Sequence, residues 1–390
     1  MSSRTARRPA GSSQPKPAAA ADPASIETAA SARPGDAGPG RRTIAMPSVE
    51  TIRVLDEHGR HDAGLDPGLS AEELLRIHRA MVLTRVFDVR MLNMQRQGRM
   101  GTFAPGYGQE ATQIGQVFPL EDRDWFSPSY RSFGAQIWRG WEMERLFLLW
   151  SGHHEGFPPP PGVNDLPFSI VIGSHPLPAT GVAMGMKYRA IAEGRTTDDL
   201  PVVVTNFGDG ALSQGAVAEA FNFAAVNAAP IVFCVENNGW AISMPAAKQS
   251  AHGVLAQRGV GFDLPSVRVD GNDVLGMIVA VREAVARARR GHGPTLVEAV
   301  TYRMSVHTTA DDPKVYRDDA EVEAWKAKCP IARFERHLRT QGLLDDAAIK
   351  AVHDACDAEV LAARDRFEAT KQPKPEEIFD YVYAELPAEL

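Results

Sequence analysis

Cysteine is nearly missing from this chain. Only Cys234, Cys329 and Cys356 occur in 390 residues, odd in number and far apart. They build no disulfide framework and no Cys-x-x-Cys pair, which excludes a cysteine zinc site and suits a reducing compartment. Long apolar runs are missing too. None approaches the roughly 18 residues needed to span a bilayer, so no membrane span is expected. Nor is there an excess of basic charge: 42 Lys and Arg face 49 Asp and Glu, a net charge of −7. A chain devoted to nucleic acid would usually be basic, so that class is set aside. What remains is the balance of a soluble globular protein, 44% hydrophobic and 23% charged, long enough for one large domain or two of roughly 100–200 residues each.

Residues 1–45 contain few large apolar side chains and are dominated by Ala, Pro, Ser, Gly and Arg. They cannot offset the entropy of ordering, so a disordered arm is expected. The arginines of this arm outnumber Asp22, Glu27 and Asp36, as in a transit peptide, but Pro9, Pro15, Pro17, Pro23 and Pro34 disfavour the amphipathic helix such a peptide needs. A cytoplasmic protein is the reading adopted. Ser70 and Glu73 have capping-box spacing before Leu74, Ile77, Met81, Val82 and Val86, which predicts a helix ending near Gly98. A loop-rich stretch is expected from Arg99 to about Pro167.

From Pro201 the pattern changes. Val202–Val204 predicts a strand that stops at Phe207-Gly208-Asp209-Gly210, followed by a helix from Ser213 to about Val226. Ile231–Val235 predicts a second strand, ending at Glu236-Asn237-Asn238. Val267–Val269, a helix from Asn272 to about Arg290, and Thr295–Val300 complete the series. Strand–helix alternation with near-continuous apolar strands predicts an α/β fold, a parallel sheet flanked by helices. Ala320 to Leu390 reads as mostly helical, broken at Pro330 and Pro373. The expected division is an arm over 1–45, an α/β domain over 46–330 and a helical C-terminal region over 331–390 packed on it.

Ligands of open parallel sheets sit beyond the carboxyl ends of the strands. Two polar clusters fall there. Gly208-Asp209-Gly210-Ala211 offers close backbone approach, free N–H groups for an anion and one carboxylate. Asn237-Asn238-Gly239-Trp240 ends the next strand. A carboxylate, a side-chain amide oxygen and a backbone carbonyl are the hard ligands that Mg²⁺ takes together with diphosphate oxygens. Each cluster alone is an ordinary turn sequence. Their separation by one helix and one strand is what makes a joint Mg²⁺-diphosphate site.

The paired clusters at this spacing resemble the thiamin-diphosphate fingerprint. Arg96-Gln97-Gly98-Arg99, Ala104-Pro105, Gly108-Gln109-Glu110-Ala111, Ser129-Tyr130-Arg131, Asp209–Gly215, Tyr302-Arg303, His307–Pro313 and Tyr316-Arg317 narrow the likeness. Together they resemble the alpha subunit of the decarboxylating component of 2-oxo acid dehydrogenase complexes, in order from about Val49 onwards. The resemblance implies a thiamin-diphosphate-binding fold. It implies that Asp209, Asn238 and the Trp240 carbonyl bind Mg²⁺, and that Gly208, Gly210 and Ala211 meet the diphosphate. It implies that Tyr130 and Arg131 grip the diphosphate, that Ile170 and Ile172 pack against the aminopyrimidine, and that His307 is the active-site loop histidine, touching cofactor and substrate. It also implies a beta subunit in an alpha₂beta₂ tetramer, a lipoyl-bearing acyltransferase partner and a 2-oxo acid substrate.

The words around Met100–Pro105 look closest to bacterial two-chain pyruvate dehydrogenases, with branched-chain 2-oxo acid and acetoin dehydrogenases as alternatives. A different class, a non-catalytic Mg²⁺-nucleotide assembly subunit, would require a glycine-rich phosphate loop after its first strand, and none follows Val202–Val204. His307 is followed by Thr308, so phosphorylation of a serine there is not expected. Phe103, Tyr107 and Gln109 are expected to line or support a substrate channel. His175 follows Gly173-Ser174 in the expected cofactor loop and equally suits a backbone contact. His153-His154-Glu155 is weighed as a metal group and set aside, since adjacent histidines point apart. Arg287, Arg289 and Arg290 are read as solvated charge at a helix end.

Overall fold

The computed structural model describes residues 48–379, 382–385 and 387–388. The arm expected over 1–45 lies outside them. In chain order the elements are β1 (Glu50–Ile52), α1 (Ala71–Arg96), α2 (Glu110–Val117), β2 (Trp125–Ser127), α3 (Phe133–Trp138), α4 (Met143–Trp150) and α5 (Pro176–Ala192). Next come β3 (Val203–Gly208), α6 (Gly215–Val226), β4 (Ile231–Asn237), β5 (Trp240–Ala241), β6 (Met244–Pro245), α7 (Ala246–Gln249) and α8 (Gln257–Val260). The chain continues through β7 (Ser266–Asp270), α9 (Val274–Arg289), β8 (Thr295–Val300), α10 (Asp319–Lys326), α11 (Pro330–Thr340) and α12 (Asp346–Glu368).

Six strands form one parallel sheet in the order β1-β7-β8-β4-β3-β2. Alternate side chains of each strand point to opposite faces. Val203, Phe207, Ile231, Phe233 and Val235 pack against Ala179 and Ala183 of α5 and Val217, Phe221 and Ala224 of α6. Val204, Val232, Cys234, Val269 and Val297 pack on the other face against Met277, Val281, Ala284 and Ala288 of α9. Cover on both faces explains why the strands are apolar throughout. A further helical layer joins α1, α4, α11 and α12 through Phe87, Met91, Phe147, Phe334, Leu338, Val360 and Phe367. The expected α/β class is observed.

The capping box of α1 is present: Ser70 Oγ accepts from the Glu73 N–H at 3.2 Å, and the Glu73 carboxylate accepts from the Ser70 N–H at 2.8 Å. Two expected boundaries need correction. The helix placed from Ser213 begins at Gly215, because Asp209–Ser213 winds as a 3₁₀ turn first. The strand expected from Val202 begins at Val203 and ends at Gly208, within the expected stop. The stretch from Arg99 to Pro167 is loop-rich as expected, and it also holds the short elements α2, α3, α4 and β2. All eight residues of α2 are buried, so the helix shows no polar face from which a period could be read.

Gly115 is why α2 can lie so close to α9. A Cβ there would stand 2.4 Å from the Met277 Cβ. Overpacking between two such helices costs about 1–3 kcal/mol. Gly115→Ala is therefore expected to lower the urea midpoint of unfolding with an unchanged slope. An unchanged midpoint would contradict this packing.

Candidate active site

β3 and β4 are hydrogen-bonded neighbours, with Gly208 paired to Glu236. The two polar clusters therefore leave adjacent strands side by side. Beyond the strand ends lies a cleft of about 240 Å³ lined by Tyr130, Arg131, Ile172, Gly208, Asp209, Gly210, Ala211, Asn238, Trp240 and His307, among others. Ile170 belongs to the same loop but does not line the cleft, where Val171, Ile172 and Gly173 do. Ile170, Val171 and Ile172 are exposed as an apolar run at the cleft.

Asp209 is buried at the start of the 3₁₀ turn. Burial pushes its carboxyl up to about 6, although the Gln249 side chain donates to Oδ2 at 2.9 Å. Gly210 keeps the turn against the β5–β6 hairpin, since a Cβ there would meet the Ala241 Cβ at 2.7 Å. Asn238 is oriented by Gln109, whose Oε1 accepts from the Asn238 Nδ2 at 3.1 Å. That fixes Oδ1 as the free end of the amide; its bond from the Trp240 N–H is long, at 3.3 Å. Gly239 turns the chain at φ +86°, which favours glycine, and brings the Trp240 carbonyl round. Glu236, at the end of β4, is buried with its Oε1 unpartnered, and burial pushes it up to about 7.

This donor set fits a divalent cation. A buried carboxylate with a raised pKa is short of positive charge, and the Asp209 carboxylate, Asn238 Oδ1 and the Trp240 carbonyl are hard oxygens of the kind Mg²⁺ takes. Among the described residues no group of three His, Cys, Asp or Glu side chains gathers elsewhere as a metal site. His153 instead packs edge-on against Phe367, and His154 faces Glu155 at 3.6 Å.

His307 follows β8 in a loop tied down by its own N–H, which donates to Asp311 Oδ2 at 2.7 Å. Its Nδ1 lies 3.3 Å from Arg131 Nη2 and 3.1 Å from Arg303 Nη1. Guanidinium groups only donate, so Nδ1 accepts and the ring proton sits on Nε2. Burial, with the two arginines, holds the imidazole down at about 3. It is a neutral donor at any physiological pH. Arg303 is itself fully buried, donating to the Ile242 carbonyl at 2.7 Å, the Tyr316 hydroxyl at 2.9 Å and the Trp240 carbonyl at 3.2 Å.

Some expected residues sit elsewhere. Phe103 is core, packed on Phe133 and Trp150, and Tyr107 lies under the Arg85 guanidinium. Gln109 supports the site through Asn238. His175 lines the cleft and meets the Asn206 carbonyl at 2.6 Å, the backbone contact weighed for it. Arg289 is not solvated: it pairs with buried Asp124 at 2.6 Å. Glu236, Gln249 and Ile242 also line the cleft without having been singled out. Only Glu236 left a signal, a carboxylate closing an otherwise apolar strand.

Comparison with known proteins agrees with this geometry. The family model "Dehydrogenase E1 component" matches residues 78–376. The chain is 42% identical over 331 residues to the pyruvate dehydrogenase E1 component subunit alpha of Acholeplasma laidlawii, covering 84% of this chain and 93% of that one. It is 38% identical over 343 residues to the subunit of the same name in Staphylococcus aureus, covering 87% and 90%. The Staphylococcus epidermidis protein matches to the same extent. A family match over most of the chain and two adjacent strand ends converging on one cleft lead to one assignment: the chain belongs to the dehydrogenase E1 component family.

Proposed function

We propose that this chain is the alpha subunit of a pyruvate dehydrogenase, which oxidatively decarboxylates pyruvate and passes the acyl group to a lipoyl-bearing acyltransferase. One observation carries the reading: Asp209, Asn238, Trp240, Tyr130, Arg131 and His307 line one cleft at the carboxyl ends of β3 and β4. Thiamin diphosphate, when bound, supplies the carbanion chemistry that splits a 2-oxo acid. The chain's own residues then do the holding. Asp209, the Asn238 amide oxygen and the Trp240 carbonyl would bind Mg²⁺. Gly208, Gly210 and Ala211 would present backbone to the diphosphate, with Tyr130 and Arg131 beside it. His307 would donate through Nε2–H, held in that tautomer by Arg131 and Arg303. Ile170 and Ile172 would meet the aminopyrimidine, largely through backbone.

A beta subunit completing an alpha₂beta₂ tetramer is part of the proposal. Exposed apolar side chains support it: Val171 and Ile172 at the cleft, Tyr188 and Ile191 on α5, and Phe223 and Val226 on α6. Residues 46–330 would form the cofactor domain and 331–390 a helical region on it. We place the protein in the cytoplasm on its three scattered, unpaired cysteines; among the described residues no helix is long and apolar enough to cross a membrane.

Heat protection tests the cofactor. Thiamin diphosphate with Mg²⁺ is expected to raise the melting temperature of the complex with its beta chain, and ATP with Mg²⁺ is not. The reverse result would make this a nucleotide-binding subunit.

A further inference from the structure

A second recess opens at the carboxyl ends of β1, β7 and β8, under the junction of α10 and α11. It has a volume of about 300 Å³ and shares no lining residue with the cofactor cleft. Its charged lining is Arg53, Arg268, Lys328 and Arg333 against Glu57 and Asp270. We propose that this recess binds a dianionic phosphoryl group.

The carboxylates are already engaged. Glu57 pairs with Arg53, and Asp270 pairs with Arg333 at 2.7 Å and with Arg53 at 3.4 Å. One cation is left over outright, and a second is only loosely paired. Arg268 stands 3.6 Å from buried Glu298, too far for a hydrogen bond, and Glu298 also accepts from Asn237 and the Ala256 N–H. Lys328 lies over the Trp325 ring at 4.8 Å, and among the described residues no carboxylate reaches it. Arg333 adds a separate observation. It is 1% exposed, donates to the Leu55 carbonyl at 3.1 Å, and its Nε–H has no partner. Arg333 is thus a buried cation in the wall of the recess, and a bound oxyanion would meet the positive charge gathered there. Planar guanidinium forks match phosphate oxygens, and the volume suits a phosphate or small phosphomonoester.

The test uses the full chain co-purified with its beta subunit. Melting temperature is followed against inorganic phosphate, with sodium chloride at equal ionic strength as the control. Phosphate is expected to stabilise the native complex and its Arg131→Ala variant alike, because Arg131 lies in the other cleft. In the double variant Arg268→Ala, Lys328→Ala the apparent phosphate affinity is expected to fall about tenfold or more. Lys328→Met alone should give part of that loss if the double variant folds poorly. A stronger response to 3-phosphoglycerate than to phosphate would identify a phosphomonoester, and an equal response free phosphate; both support the site. Equal stabilisation of native protein and double variant would overturn it. So would loss of the response in Arg131→Ala alone, which would place the ion in the cofactor cleft. No response to phosphate, with failed assembly of the double variant, would mean that a partner's carboxylate fills the recess instead.

Discussion

Asp209→Asn is expected to weaken Mg²⁺-dependent cofactor binding severely and, at the same time, to stabilise the cofactor-free protein. The two effects have one cause. Burial raises the Asp209 carboxyl from its ordinary 3.8 to about 6. The folded state therefore binds more protons than the unfolded state between those values, and this group lowers stability as pH rises through that window. Above it the ionised, buried carboxylate costs about 1–3 kcal/mol. Asparagine removes that cost but also removes the charge that a divalent cation needs. At pH 8 the variant should melt above the native protein in the absence of cofactor. Near pH 4 the difference should vanish. Cofactor affinity in Mg²⁺ should fall by about a hundredfold or more, equivalent to about 3 kcal/mol. Native-like affinity in the variant would remove Asp209 from the metal site. Equal melting at pH 8 would contradict the strained carboxylate.

The second large effect concerns His307. Arg131 and Arg303 both face Nδ1, and burial with these two cations holds the ring at about 3. A histidine so placed cannot serve as a base near neutral pH; it can only donate from Nε2. His307→Ala is expected to leave cofactor affinity within about tenfold and to slow acyl transfer to the lipoyl partner by about a hundredfold, as loss of one positioned donor does. Nitrogen NMR of the native protein should show neutral imidazole with the proton on Nε2 from pH 5 to 9. Titration of His307 near 6.5 would contradict the network. Unchanged turnover with the lipoyl partner in the alanine variant would make the residue structural.

Part of the fold is legible from strong local signal. The Thr295–Val300 strand has its expected bounds: Thr295, Val297 and Val300 are β-branched, and Pro294 stops it on the N-terminal side. The α1 start follows from Ser70 and Glu73. Gly208–Ala211 and Asn237–Trp240 were legible because they stand at strand ends, and their adjacency follows from the parallel β3–β4 pairing. Other features had no local signature. β1 and β2 are three residues each, too short to show alternation. α5 begins at Pro176 and carries Pro178, Gly181 and Gly185, which read as breakers. Gln249 reaches Asp209 across a hairpin, and Arg131 reaches Nδ1 of His307 from far away in the chain. Such partners are set by packing rather than by spacing.

The most direct measurement is dye-coupled oxidation of 2-oxo acids with thiamin diphosphate and Mg²⁺. The chain alone should be inactive, and the chain co-purified with its beta subunit should oxidise pyruvate in strong preference to 3-methyl-2-oxobutanoate. Full activity of the chain alone would contradict the divided site. A cofactor-loaded complex that oxidises neither acid would contradict the proposed reaction, and preference for the branched acid would contradict the proposed substrate.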